Sequence, residues 1–229
     1  VAPELEEEWY SFYGQVGLTG QPAHREIHAA AWNRWFAVSA YRVGEPDQRR
    51  VAILYAEITE RKRAEQELRA SDERQAFLLM LSDALRPLAD PVDIQATVTQ
   101  TAMQQFNADR CYYCEIEDGQ AIIRRDAAQD DLPSVVGVYP LSSMPIFRAV
   151  VDAGRPFVVE DAHTSDLLDE PLRQLCVQLG VISFVDVPVI KNGQPVGVLC
   201  ITQRTRREWT DVEVELAAET AERTWAAVE

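Results

Sequence analysis

Gly180-Val181-Ile182-Ser183-Phe184-Val185-Asp186-Val187-Pro188-Val189-Ile190-Lys191-Asn192-Gly193-Gln194-Pro195-Val196-Gly197-Val198-Leu199-Cys200-Ile201-Thr202-Gln203 places two apolar, β-branched runs on either side of Asn192-Gly193. Asn-Gly is the strongest short hairpin signal, because both of its positions take positive φ in the turn that joins antiparallel strands. Residues 182–190 and 195–203 therefore read as a strand pair. Asp186 interrupts the first strand among Phe184, Val185, Val187 and Val189. A buried carboxylate is costly unless paired. Either Asp186 faces a ligand cavity with a donor beside it, or a bulge or sheet edge lets it reach water.

Working outward, residues 172–179 present Leu172, Leu175, Cys176 and Leu179 on one side of a short helix that Gly180 ends. A strand is expected at 156–160. Before it lies a helix capped by Ser143, with Ile146, Ala149, Val150 and Ala153 inward and Gly154 as its stop. Strands at 110–116 and 120–127 flank Glu117-Asp118-Gly119, another hairpin signal. Asp90 caps a helix with Pro91 at its first position and Ile94, Val98, Ala102 and Phe106 as its apolar stripe. Downstream, Thr210-Asp211-Val212-Glu213 is a capping box, with Trp209 and Val214 as its hydrophobic staple. The stripe Val214, Ala217, Ala218, Ala221, Trp225, Val228 follows with no stop signal, so a further domain is expected after it.

Toward the N-terminus the pattern weakens. An acidic run over 4–8 leads into an aromatic helix at 9–16, then strands at 25–30, 35–43 and 50–58. In the middle strand Trp35, Ala37, Ser39, Tyr41 and Val43 share one face and Phe36, Val38 and Ala40 the other. Gly44-Glu45-Pro46-Asp47 turns the chain into the last strand. One helix and three strands make a thin core with an uncovered face. From Thr59 to Leu85 the spacing of Ala64, Leu68, Ser71, Gln75, Leu78, Ser82 and Leu85 is that of a coiled coil with weak middle positions. Such a helix spans roughly 40 Å. Pro87 and Asp90-Pro91 end it.

Two resemblances carry the fold further. Residues 90–229 resemble a GAF domain over its full length, most specifically in 179–189, in Asn192-Gly193-Gln194-Pro195-Val196-Gly197-Val198-Leu199, and in Arg207-Glu208-Trp209-Thr210 with Glu213 and Leu216. Arg34-Trp35-Phe36-Ala37-Val38 and 50–65 resemble the last strands and exit helix of a PAS domain, with Glu57-Ile58-Thr59 where that family usually has Asp-Ile-Thr. Only the C-terminal half of a PAS domain has a counterpart. The reading is an α+β chain: a partial PAS three-stranded sheet (1–58), a helical coiled-coil-like linker (59–89) and a GAF antiparallel sheet with packed helices (90–229). The resemblance implies a non-catalytic, dimeric signal-relay segment of a bacterial sensor histidine kinase or related two-component regulator. A small-molecule sensor and an inert dimerisation spacer remain as alternatives.

The bulk numbers narrow the classes. The chain carries a formal net charge of −15 over 229 residues, and no basic patch exceeds that of 204–207. Nucleic acid is a poor partner, because phosphate neutralisation needs clustered Lys and Arg. No run approaches the roughly 20 apolar residues a membrane span needs. Four cysteines in a chain this long do not make a disulfide framework, and a cytoplasmic location is expected.

Cys111-Tyr112-Tyr113-Cys114 is a CxxC, but residues three apart on a strand point to opposite faces, so no metal is expected there. Bilin-binding GAF domains attach the chromophore through a Cys-His pair early in the helix before Gly180; here those places hold Pro171-Leu172, which argues against covalent bilin. Cys176 and Cys200 read as packing. The cysteines lie in predicted strands and a helix rather than in loops, unlike the methionine sulfoxide reductases that also resemble GAF domains, and no enzyme activity is expected. His28 lies in a strand-like run rather than on a long helix, unlike a phospho-accepting histidine. Three residues stand as ligand-binding candidates: Asp186, Tyr113 from a neighbouring strand, and His163 on a loop at the cavity rim. The sequence names no cofactor.

Overall fold

The computed structural model describes residues 7–129 and 132–228, and the chain divides into two units between Glu73 and Arg74. Glu4 and Glu6 of the acidic run lie outside the described residues.

In the first unit, α1 (Glu7–Thr19) buries Trp9, Phe12 and Val16, spaced three and four apart on one helical face. It packs on an antiparallel meander of β1 (Ala23–Ala29), β2 (Arg34–Val43) and β3 (Arg50–Glu57) in the order β1-β2-β3. Val38 and Ala40 are fully buried with Ile27 and Ala29, while Tyr41 and Val43 are exposed, as the alternation along β2 requires. The pairing Val38↔Tyr55 and Ala40↔Ile53 puts Tyr55 and Ile53 on that same buried-side face. Yet Tyr55 is 73% exposed and Ile53 42%, so the small core stops short of β3. At the exit, Thr59 Oγ1 donates to Glu57 Oε1 (3.0 Å) and accepts from the Trp35 amide (3.1 Å). One turn on, Arg61 and Lys62 pair with Glu26 of β1, and their hydrogen bonds hold its carboxyl below the ordinary range.

The 27-residue helix α2 (Thr59–Leu85) opens there. Leu68 of the expected seam is 64% exposed. Leu78 and Leu85 instead join Phe77 and Leu81 in the core of the second unit, a stripe the coiled-coil register did not give. Arg74 forks onto Glu215 and Glu219, and Arg223 donates to Ser82 Oγ at 2.7 Å.

The second unit is built on a six-stranded antiparallel sheet in the order β6-β5-β4-β9-β8-β7. Its strands are β4 (Arg110–Glu117), β5 (Gln120–Ala128), β6 (Gly137–Pro140), β7 (Phe157–Val159), β8 (Ser183–Lys191) and β9 (Gln194–Gln203). Asn192 and Gly193 both have positive φ (51° and 75°), as the turn chemistry demands. The four-residue strand β6 was not read from the sequence. Each face of the sheet carries its own core.

On one face lie the end of α2, α3 (Pro91–Gln105) and α6 (Asp211–Val228). Asp90 caps α3 through the Val92 amide at 2.8 Å. At α6, the Thr210 amide donates to Glu213 Oε2 (2.8 Å) and the Glu213 amide to Thr210 Oγ1 (3.2 Å), the reciprocal pair of a capping box. The buried stripe of α6 is Leu216, Ala217, Thr220, Ala221 and Thr224, rotated slightly from the expected one. Thr220 and Thr224 satisfy their hydroxyls on the carbonyls four residues back.

On the other face lie α4 (Pro145–Ala153) and α5 (Glu170–Leu179). Two readings of α4 are corrected. Its N-cap is Met144, and Ser143 bonds the Pro140 carbonyl instead, because a single 3-10 turn precedes the helix. Its inward residues are Phe147 and Val151, while Ala149 and Ala153 are exposed. Phenylalanine fills the space that two alanines cannot.

Candidate functional site

Strands with two buried faces must send alternate side chains into different cores. Val185, Val187 and Val189 of β8 pack beneath α6, while Phe184 and Asp186 face α4 and α5. The second set opens onto a cavity of about 60 Å³ between the sheet, α4 and α5. Its wall is largely apolar or aromatic, with Phe147, Leu172, Cys176 and Phe184 among its lining.

Asp186 is the charged exception. It is 7% exposed, and no bulge interrupts the strand at its position, so of the two expected outcomes the cavity-facing one holds. One cross-strand row runs Tyr112↔Cys200↔Asp186↔Phe157. Along it the Tyr112 phenol and the Cys200 thiol are the polar neighbours of the Asp186 carboxyl. A thiol is a weak donor. Burial therefore dominates and pushes the Asp186 carboxyl up to about 7, with Cys200 opposing only in part. Burial first, then the Asp186 charge, raises the Cys200 thiol well above its usual value, and burial likewise raises the Tyr112 phenol. Cys114 is raised by burial, and Cys176 is pushed up to about 12. The cavity thiols are thus neutral and poor nucleophiles at neutral pH.

Two arginines fix α5 over the cavity. Arg173 donates to the carbonyls of Ala162, Ser165 and Leu168 in the loop that enters the helix, whose N-cap Asp169 takes the Leu172 amide at 3.1 Å. Arg110, fully buried on β4, reaches the Leu179 carbonyl at the helix end (3.2 Å) and the Pro133 carbonyl (2.7 Å).

The structure brings only one of the three candidate residues to this cavity. Tyr113 points to the opposite face, into the helix-packed core, and its neighbour Tyr112 holds the place beside Cys200 and Asp186. His163 is exposed on the loop between β7 and α5, its amide donating to Asp161 Oδ1 at 2.9 Å, and it does not line the cavity. Cys111 and Cys114 face opposite cores. Among the described residues no cluster of His, Cys, Asp or Glu is placed to hold a metal ion, and no helix is long and apolar enough to cross a membrane.

The residues present do not fit a covalently held bilin. Pro171 and Leu172 stand where the resemblance puts the attaching Cys-His pair, burial holds the Cys114 and Cys176 thiols protonated, and about 60 Å³ is far below the roughly 300 Å³ at which pockets for drug-sized ligands begin.

Solved structures share this architecture. The blue-light absorbing form of the PixJ GAF domain from Thermosynechococcus elongatus is 21% identical with a TM-score of 0.55, the match covering 61% of this chain and 84% of that one. The phycoerythrobilin-bound GAF domain of a cyanobacterial phytochrome is 19% identical with a TM-score of 0.59, over 69% and 95%. The GAF domain of a phosphoenolpyruvate-protein phosphotransferase from Coxiella burnetii is 17% identical with a TM-score of 0.57, over 68% and 92%. At these identities the likeness is one of fold. No curated protein matches the chain significantly. The GAF domain family model matches residues 90–228, well over half of the chain, and with the two-faced sheet and its cavity this places the chain in the GAF domain family.

Proposed function

We propose that this chain is a non-catalytic sensory and signal-relay segment of a multi-domain regulator of the histidine-kinase type, working in the cytoplasm. Residues 90–228 form its sensing unit, and 1–58 correspond to the C-terminal half of a PAS domain, with its exit motif at Glu57-Ile58-Thr59. Two copies associate through α2 and α6, with an output domain beyond them. Some solved relatives hold bilins; in this chain the cavity is assigned a smaller, non-covalent occupant.

One observation carries the reading. Asp186 faces the cavity while its neighbours Val185 and Val187 pack in the core that holds Leu216, Ala217 and Ala221 of α6. A change in the cavity is thus one residue away from the helix at the C-terminal end of the fold. Such a device needs two packings of nearly equal energy. Filling the cavity with Cys176→Phe tests the coupling. Backbone amide exchange in 216–225 is expected to change several-fold while exchange in α1 stays as it was. Unchanged exchange in α6 would remove the sensory reading. Native mass spectrometry of the purified protein reports whether two copies associate; a monomer at all concentrations would count against the dimeric relay.

A further inference from the structure

We propose that the cavity beside Asp186 binds a compact, mostly apolar molecule carrying one basic nitrogen, which takes the position facing the carboxylate. The inference rests on the sensory reading of this same cavity and adds the chemical class of its occupant.

Asp186 is more than nine-tenths buried, and a carboxylate in that setting costs several kcal/mol unless something compensates it. The polar groups beside it on its cross-strand row are the Cys200 thiol and the Tyr112 phenol, neither of them positively charged. No Lys, Arg or His lines the cavity, so among the described residues the wall supplies one carboxyl group and no positive charge. The missing complement is a cation or an acid–base partner that becomes one. The rest of the wall agrees: Tyr112, Tyr139, Phe147 and Phe184 are part of the lining, and aromatic rings both attract cations and shelter apolar atoms. Size sets the remaining limit. At about 60 Å³, and with ~10–15 Å³ needed for each water-sized group, the space takes on the order of five non-hydrogen atoms. When a neutral base enters, the proton of the Asp186 carboxyl passes to the nitrogen, leaving carboxylate and ammonium-type cation in contact. No other bond changes.

The test uses three five-membered rings: imidazole, which is basic; pyrazole, its isomer of the same size, which has an N–H but is scarcely basic; and cyclopentanone, one non-hydrogen atom larger, which only accepts. Calorimetric titration into the full chain near neutral pH is expected to give imidazole at least about tenfold tighter binding than either comparator. In Asp186→Asn that preference is expected to vanish, whereas Tyr112→Phe retains it. Equal binding of the three rings, tighter binding of cyclopentanone, a preference that survives Asp186→Asn, or no binding of imidazole at millimolar concentration each overturns the proposal. The ranking on the unaltered protein decides even if Asp186→Asn fails to fold. Amide exchange of α6 in the same samples separates the two readings. Imidazole binding without an exchange response keeps the site and removes the sensory role; an exchange response to Cys176→Phe without imidazole binding does the reverse.

Discussion

Asp186 and Cys200 stand directly across from each other in the β8–β9 pair, both side chains on the cavity face. Burial of the Asp186 carboxyl on that face, which Cys200 offsets only in part, makes the stability of the fold depend on pH in an unusual direction. The folded-state carboxyl lies at about 7, whereas an unfolded Asp titrates near about 4. Between those values the folded protein keeps a proton that the unfolded chain has lost, so stability falls as pH rises through this window and levels off above it. Tyr112, Cys114, Cys176 and Cys200 stay neutral throughout, because burial raises each of them. Asp186→Asn is expected to remove this slope and to be the more stable protein at about pH 8, by on the order of 3 kcal/mol. Urea unfolding of both proteins at about pH 5 and about pH 8 checks it. Parallel profiles would show that Asp186 has an ordinary pKa.

Gly197 lies against the ring of Tyr113, and a Cβ there would overlap the phenol and its ring carbons. Gly197→Ala is expected to destabilise the fold by about 1–3 kcal/mol through overpacking. The Tyr113 hydroxyl has no hydrogen-bond partner among the described residues, so Tyr113→Phe alone should be close to neutral. Combined with Gly197→Ala it should recover part of the loss. Thermal unfolding of the two single variants and the double variant measures the coupling; additive effects would mean that the helix side of the sheet yields elsewhere.

Arg110 ties the end of α5 to the loop at Pro133 from a fully buried position. Replacing it with methionine keeps the volume but leaves two carbonyls short of a charged donor. A loss of about 2–4 kcal/mol is expected, with the largest rise in amide exchange at 176–181. An effect spread evenly over the sheet would argue that Arg110 supports the core in general and not α5 in particular.

Helix α2 offers a comparison within one element. Leu81 is fully buried and Leu68 is 64% exposed. Leu81→Ala should cost about 2–5 kcal/mol, and Leu68→Ala little in the stability of a single chain. Denaturant midpoints of the two variants give the ratio directly. Comparable losses would mean that Leu68 is covered in solution.

Much of this fold is legible because its signals are local. The hairpin at Asn192-Gly193, the cap at Asp90, the Thr210–Glu213 box and the stop at Gly180 each rest on residues within a few positions of one another. The site was only half legible. Asp186 stands out in the sequence as a charge in an apolar strand, but the sequence points to Tyr113 as its neighbour and the structure has Tyr112 there. The cause is one extra residue. A regular two-residue turn pairs Lys191 with Gln194 and Ile190 with Pro195, which carried on would set Asp186 opposite Leu199, itself opposite Tyr113. The register shifts at Val189/Ile190, where Val189 pairs with Gly197 and Val196 is left over. Every pairing beyond it moves by one, to Cys200 and Tyr112. Pro195 was the available clue, since proline inside a sheet gathers at bulges and edges. The α4 face was misread for a different reason: alanine and valine spacing fits two helical faces about 100° apart, and the large side chain of Phe147 decides between them.

The alternation of β8 has an evolutionary consequence. Positions 184 and 186 meet whatever the cavity contains, while 185, 187 and 189 meet the helices. In the proposed sensor, substitutions at the first set would act first on what the cavity accepts, and those at the second on how the helices pack. A single strand thus offers two sets of positions for variation, interleaved residue by residue.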